Sequence, residues 1–106
     1  MKEKSEKCAL DMLIIALCAD YPRRRRILLE GGGEKRQRYE FAYLNRRIYH
    51  AAAEIVGSYY AETFIYDIAN RVDYVNSRAK NLSESTYKIY KKEVKINISK
   101  KLYLNS

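Results

Sequence analysis

Lys88, Lys92 and Lys95 stand four and three residues apart near the end of the chain, just after Ser83, Ser85 and Thr86. On a helix that spacing puts the three ammonium groups on one stripe. Hydroxyls and free backbone N–H groups at a helix start can hold a phosphate. Cations and hydroxyls further along can reach phosphates and base edges in a major groove. The chemistry is recognition of a polyanion. Lysines also solvate ordinary surface helices, so the stripe alone is compatible with a plain basic face.

The densest charge in the chain is Arg23, Arg24, Arg25 and Arg26. Each guanidinium is a planar fork suited to phosphate. On a helix successive arginines point to different sides, so two of the four, with Arg36 or Arg38, are expected to clamp phosphates. The alternative is a solvated loop. Lys91, Lys95, Arg78 and Lys80 complete the phosphate-neutralising set, and Ser85, Thr86, Lys88, Ile89 and Lys92 are the residues expected to meet bases or the nearest phosphates.

Other chemistries find no footing. His50 is the only histidine, with no nucleophile or second ligand at metal spacing. Glu62 with Asp67, and Asp67 with Asp73, lack the spacing that places two acids on one helical face. Gly31–Gly33 follow no strand and read as a flexible joint, not a nucleotide loop. The chain therefore reads as a non-enzyme without metal, cofactor or small-molecule substrate. Eleven tyrosines and no tryptophan could stack on single-stranded bases, but partial burial with the hydroxyl at the surface is the commoner use.

The elements that must carry these residues are helical. One proline and four glycines in 106 residues leave little for a loop-rich β fold, and the abundant Ala, Leu, Lys, Arg and Glu favour helix. The net charge of +8 is uneven. Residues 21–50 carry nine basic and three acidic side chains, and residues 75–106 carry eight and two. Between them lie one arginine and four acids. Two basic blocks around an acidic middle suit a polyanion held by two surfaces.

Residues 5–20 read as a first helix with Ser5 as cap, apolar nearly all round except at Asp11. Such a helix must be covered, either as the core helix or as half of a dimer interface. It is too short and too interrupted to span a bilayer. Cys8 and Cys18 share it beyond disulfide reach, which, with no leader pattern before them, points to a reduced cytoplasmic setting. Pro22 ends it and opens a turn or two of helix from Asp20 or Tyr21 to the glycines. From Glu34 a long helix places Phe41, Leu44, Ile48, Ala52, Ile55 and Tyr59 on one face, with Gly57 as an end or bend. A helix over about 60–72 buries Ala61, Phe64, Ile65, Ile68, Ala69 and Val72. Residues 73–82 read as irregular chain, and a last helix runs from about Glu84 to Leu102 behind Ser83 or Ser85.

That last helix divides into three lines. Tyr87, Tyr90, Val94, Ile98 and Leu102 form the core face. The lysines lie beside it. Ile89, Ile96 and Tyr103 recur every seven residues elsewhere, more apolar surface than a free helix carries, and ask for the first helix or a dimer seam.

"FIYDIANRVDY" and, after an intervening segment, "LSESTYKIYKKEVKINISKKLYL" resemble the C-terminal half of phage and prophage transcription regulators of the ArpU/RinA kind, and the helix-turn-helix of sigma-factor region four. Ile65, Ile68 and Ala69 match scaffold positions. Ser83, Ser85, Thr86, Tyr87 and Lys88 match the opening of the recognition helix, and Leu102 and Leu104 its ending. Asp73 stands where that pattern has a turn glycine, and the segment to Leu82 is longer than its turn. The resemblance implies DNA binding.

The expectation is one all-α domain, residues 1–106, of four to five helices. Residues 1–33 form N-terminal helices and a glycine hinge. Residues 34–106 form a helical core, with a helix-turn-helix-like pair over about 60–104. The expected function is a sequence-specific DNA-binding transcriptional regulator of phage or prophage type, acting on double-stranded DNA as a homodimer through the first helix, away from membranes. The alternatives are a helical oligomeric adaptor for an acidic protein partner, a non-specific RNA-binding protein, or a DNA-packaging protein.

Overall fold

The computed structural model describes the backbone of residues 2–104 and the side chains of residues 8–104. The chain is all-α. Five helices follow in order: α1 (Lys2–Ala19), α2 (Tyr21–Glu30), α3 (Lys35–Val56), α4 (Ser58–Ala69) and α5 (Glu84–Lys101). A 3-10 turn at Tyr74–Asn76 interrupts the connection between the last two. Among the described residues there is no strand, and no helix is long and apolar enough to cross a membrane.

Local chemistry sets most of the boundaries. Pro22 lies in the first turn of α2, where its missing N–H is not needed. Gly31 closes α2 in the left-handed region at φ 71°, and Gly31 and Gly32 donate to the carbonyls of Leu28 and Ile27. Gly57 separates α3 from α4 at φ 82°, ψ 164°, a conformation costly for any residue with a Cβ. Ser83 caps α5: its Oγ accepts the Thr86 N–H at 3.2 Å. Helix α1 begins at Lys2, so Ser5 lies inside it and does not cap it; the Ser5 side chain is outside the described residues. Helix α2 is longer than the turn or two expected.

The core is where α3, α4 and α5 converge, with α1 laid across α4. Ile48, Ala51 and Ala52 of α3, Ala61, Phe64, Ile65 and Ile68 of α4, and Tyr87, Val94 and Ile98 of α5 are buried. The core face read from the sequence of α5 is thus the inward one, with Tyr90 and Leu102 half-buried at its margins. Tyr59 departs from the α3 stripe and is 83% exposed. The cause is Gly57, which ends α3 and resets the helical phase. Helix α1 is covered on one side only. Ile14 and Cys18 are buried, while Met12 and Leu13 are exposed.

Two buried polar networks pin the helices. Arg24, 2% exposed, donates from Nε to Asn45 Oδ1 at 2.7 Å, from Nη1 to Asp20 at 3.2 Å and from Nη2 to the Leu17 carbonyl at 2.5 Å. Asn45 in turn donates to the Tyr21 carbonyl. One guanidinium therefore ties α1, α2 and α3 together. The second network centres on Asp67 of α4, described below.

Removing one member of a buried hydrogen-bonded set leaves the others unsatisfied. Arg24→Ala is expected to lower unfolding stability by about 2–4 kcal/mol, measured as a shift of the urea midpoint. Arg26→Ala, at an exposed position, should stay within about 0.5 kcal/mol.

Candidate functional site

Helix α5 carries most of the residues singled out for polyanion contact, and its rotation decides which of them face solvent. That rotation is held by Asp67. Its carboxylate is 2% exposed and accepts from Tyr87 Oη at 2.8 Å and from Ser77 Oγ at 2.5 Å. Ser77 Oγ also accepts the Ala79 N–H at 3.0 Å. Tyr74 Oη donates to the Leu82 carbonyl at 2.7 Å. The irregular segment before α5 is bound to α4 through Ser77 and to α5 through the Val72 carbonyl, which accepts from Lys91 Nζ. Burial, reinforced by the hydrogen bond to the Asp67 carboxylate, pushes the Tyr87 phenol well above its ordinary value. The hydroxyl remains a donor across all working pH.

With Tyr87 fixed inward, Ser85, Lys88, Ile89 and Lys92 point outward. Lys88 meets Glu84 at 3.4 Å in an exposed pair, a weak interaction in water. Lys92 has no hydrogen-bond or ion-pair partner among the described residues. Ile89 is 56% exposed. Thr86 is half-buried, and its hydroxyl accepts from Ser83 Oγ at 2.9 Å, so the hydroxyls at the helix start are partly engaged with one another.

Lys91 and Lys95 behave differently from the expectation. Lys91 turns back over the Tyr87 ring and donates to the Val72 carbonyl. Burial pulls its ammonium below the ordinary value. Lys95 crosses to α1 and pairs with Asp11 at 2.8 Å. The fold thus uses both before any ligand does.

The arginine run also separates. Arg24 is buried in the network described above, which corrects its assignment to phosphate contact: its position on α2 faces α3, and Asn45 waits there with a matching acceptor. Arg23 pairs with Asp20 at 2.6 Å and stacks over Phe41. Arg25 pairs with Glu62 of α4 at 2.5 Å. Arg26 is exposed without a partner among the described residues, as are Arg78 and Lys80 in the segment before α5.

Helices α4 and α5 form the C-terminal pair. They are joined by residues 70–83 with the 3-10 turn, in place of a tight turn, and α5 packs chiefly against α3. The line of Ile89, Ile96 and Tyr103 is exposed; α1 covers little of it.

Sequence reading missed Asp67 as the anchor of α5, although the signal was present. Asp67 sits directly before Ile68 in an apolar stripe, where an acid must find buried donors. The Lys95–Asp11 pair had no such signal, since nothing in the sequence links positions that far apart. No three His, Cys, Asp or Glu side chains gather as a metal site among the described residues. No protein-family model, characterised protein or solved structure matches this chain.

The two cysteines of α1 are free and differ sharply: Cys8 is exposed, Cys18 buried. Burial pushes the Cys18 thiol up to about 12, although Arg24 and Lys95 pull partly the other way. Because the thiolate is the reactive form, a thiol reagent at pH 8 should modify Cys8 alone in the folded protein and both cysteines in denaturant. Equal rates at the two sites would show that α1 lifts readily from α4.

Proposed function

We propose that this protein binds double-stranded DNA through the outward face of α5, as a small transcriptional regulator. The observation that carries the reading is that the fold leaves Ser85, Lys88, Ile89 and Lys92 exposed on one stripe of a capped helix. A hydroxyl, two cations and one apolar side chain in that register are what a helix lying in a major groove presents. Helix α5 is about 27 Å long, enough to follow the groove while its other face stays in the core. Arg26, Arg78 and Lys80 supply phosphate contacts from neighbouring segments.

A second copy of the chain is the natural companion. Ala9, Met12, Leu13 and Ala16 are exposed and lie on the side of α1 opposite the buried Ile14 and Cys18 by helical phase. The patch carries no charge, so two copies of a +8 chain can meet there without like charges facing each other. A dimer would present two copies of α5 to a two-fold symmetric site.

Fluorescence anisotropy with duplex DNA over a salt series tests the first part. Affinity should fall steeply with salt, and Lys88→Ala with Lys92→Ala should weaken binding about tenfold or more while flattening the log–log slope by about 0.9 per lysine. Absence of duplex binding even at low salt would remove the reading. Undiminished binding by the double variant would move the site to Arg26, Arg78 and Lys80. For the dimer, Leu13→Glu should convert a dimer to a monomer in sedimentation; a wild-type protein that is monomeric at high concentration would exclude it.

A further inference from the structure

A groove of about 690 Å³ runs between α1 and α5. Its lining has two characters. Leu10, Ile14 and Ile96 make an apolar floor, and Lys88, Lys92 and Lys95 stand along the α5 wall. Among the described residues, the lining holds these three lysines and Lys91 against one carboxylate, Asp11. Duplex DNA makes poor use of such a floor, because phosphates need cations and donors and leave apolar carbon uncovered. A second copy of this chain would bring net charge +8 against those lysines. The occupant must offer carbon side chains and carboxylates together.

The shape narrows the choice further. The groove is an open trough between two helices, not an enclosed chamber of the kind that buries most of a small ligand. A trough between two helices is the seat for a third. From Lys88 to Ser99 the wall is about 16 Å long, or roughly three helical turns.

We infer that the α1–α5 groove docks an acidic amphipathic helix of a partner protein. Its apolar side chains, at i, i+4 and i+7, lie on Leu10, Ile14 and Ile96, and its flanking glutamates or aspartates meet Lys88, Lys92 and Lys95. Lys92 is unpaired among the described residues, and Lys88 is held only by its exposed pair with Glu84. Lys95 shares its charge between Asp11 and the incoming acid. The inference does not rest on DNA binding, although the acidic helix and DNA share Lys88 and Lys92 and therefore compete.

Three fluorescein-labelled peptides of about twelve residues test it: a Leu/Glu amphipathic helix, its Leu/Lys counterpart, and a scrambled Leu/Glu peptide of identical composition. The Leu/Glu helix should bind about tenfold or more tightly than the other two. At saturation it should slow the modification of Cys8, which lines the groove. Ile96→Glu should weaken that binding about tenfold or more, while Tyr66→Glu, which adds the same charge on exposed α4 surface, changes it less than about twofold. Ile96→Ser, which removes one side chain of the apolar floor, keeps both shared lysines and adds no charge, should weaken binding of the Leu/Glu peptide while leaving DNA binding within about twofold, so the two sites are read separately. Equal binding of the scrambled peptide, an unchanged Cys8 rate in the wild-type protein, or wild-type affinity in Ile96→Glu each overturns the inference.

Discussion

The buried carboxylate of Asp67 is the constraint on which the presentation of α5 depends. A charge two per cent exposed is tolerable only where donors surround it. Tyr87 supplies one hydroxyl from α5 and Ser77 supplies another from the segment before it. The Tyr87 bond, together with the burial of Val94 and Ile98, fixes the roll of α5 about its own axis. Once Tyr87 points inward, Val94 and Ile98 follow it by helical phase, and Lys88 and Lys92 must face water. An exposed basic surface on one side of the helix is therefore the geometric consequence of a polar anchor on the other. The same anchor lets a long irregular connection stand where a tight turn would otherwise set the angle between α4 and α5.

Charge in this protein is divided between work inside the fold and work available outside it. Arg24 is consumed in joining α1, α2 and α3. Arg25 reaches Glu62, Lys95 reaches Asp11, and Lys101 reaches Glu54 at 2.7 Å. Two acids of the mildly negative middle stretch, Glu54 and Glu62, serve as partners for the flanking basic blocks. Among the described residues, cations without an acidic partner remain on α2 and α3 as well as on the outer face of α5 and the segment leading to it: Arg26, Arg38 and Arg46 are exposed like Arg78, Lys80 and Lys92. The exposed pairs contribute little to stability individually, so their larger effect is to orient long side chains.

Helix α1 has a third role. One side covers α4, another forms a wall of the groove beside α5, and the side carrying Met12 and Leu13 remains open. Those two residues do not line the groove. The proposed self-association through one side and docking of a partner at the other would thus be sterically separate, whereas DNA and a docked acidic helix would draw on the same lysines. Competition for Lys88 and Lys92 would couple the two ligands without any change of shape.

The sequence by itself determined the all-α class, the number of helices to within one, their approximate bounds, and the inward faces of α4 and α5. Each of these follows from interactions within a few residues: apolar spacing at three and four, Pro22 in a first turn, a Ser83 cap, and glycines where φ is positive. The tertiary structure alone decided which charges are free. Arg24 and Arg26 are indistinguishable as members of one arginine run, yet one is buried against Asn45 and the other is exposed. Lys95 and Lys92 share a stripe, yet only Lys95 finds Asp11. The phase reset at Gly57 likewise turned Tyr59 out of a stripe that the spacing had joined. Local periodicity reports which way a side chain points from its own helix; what it meets there depends on contacts between segments far apart in the chain, and those exist only once the helices have packed.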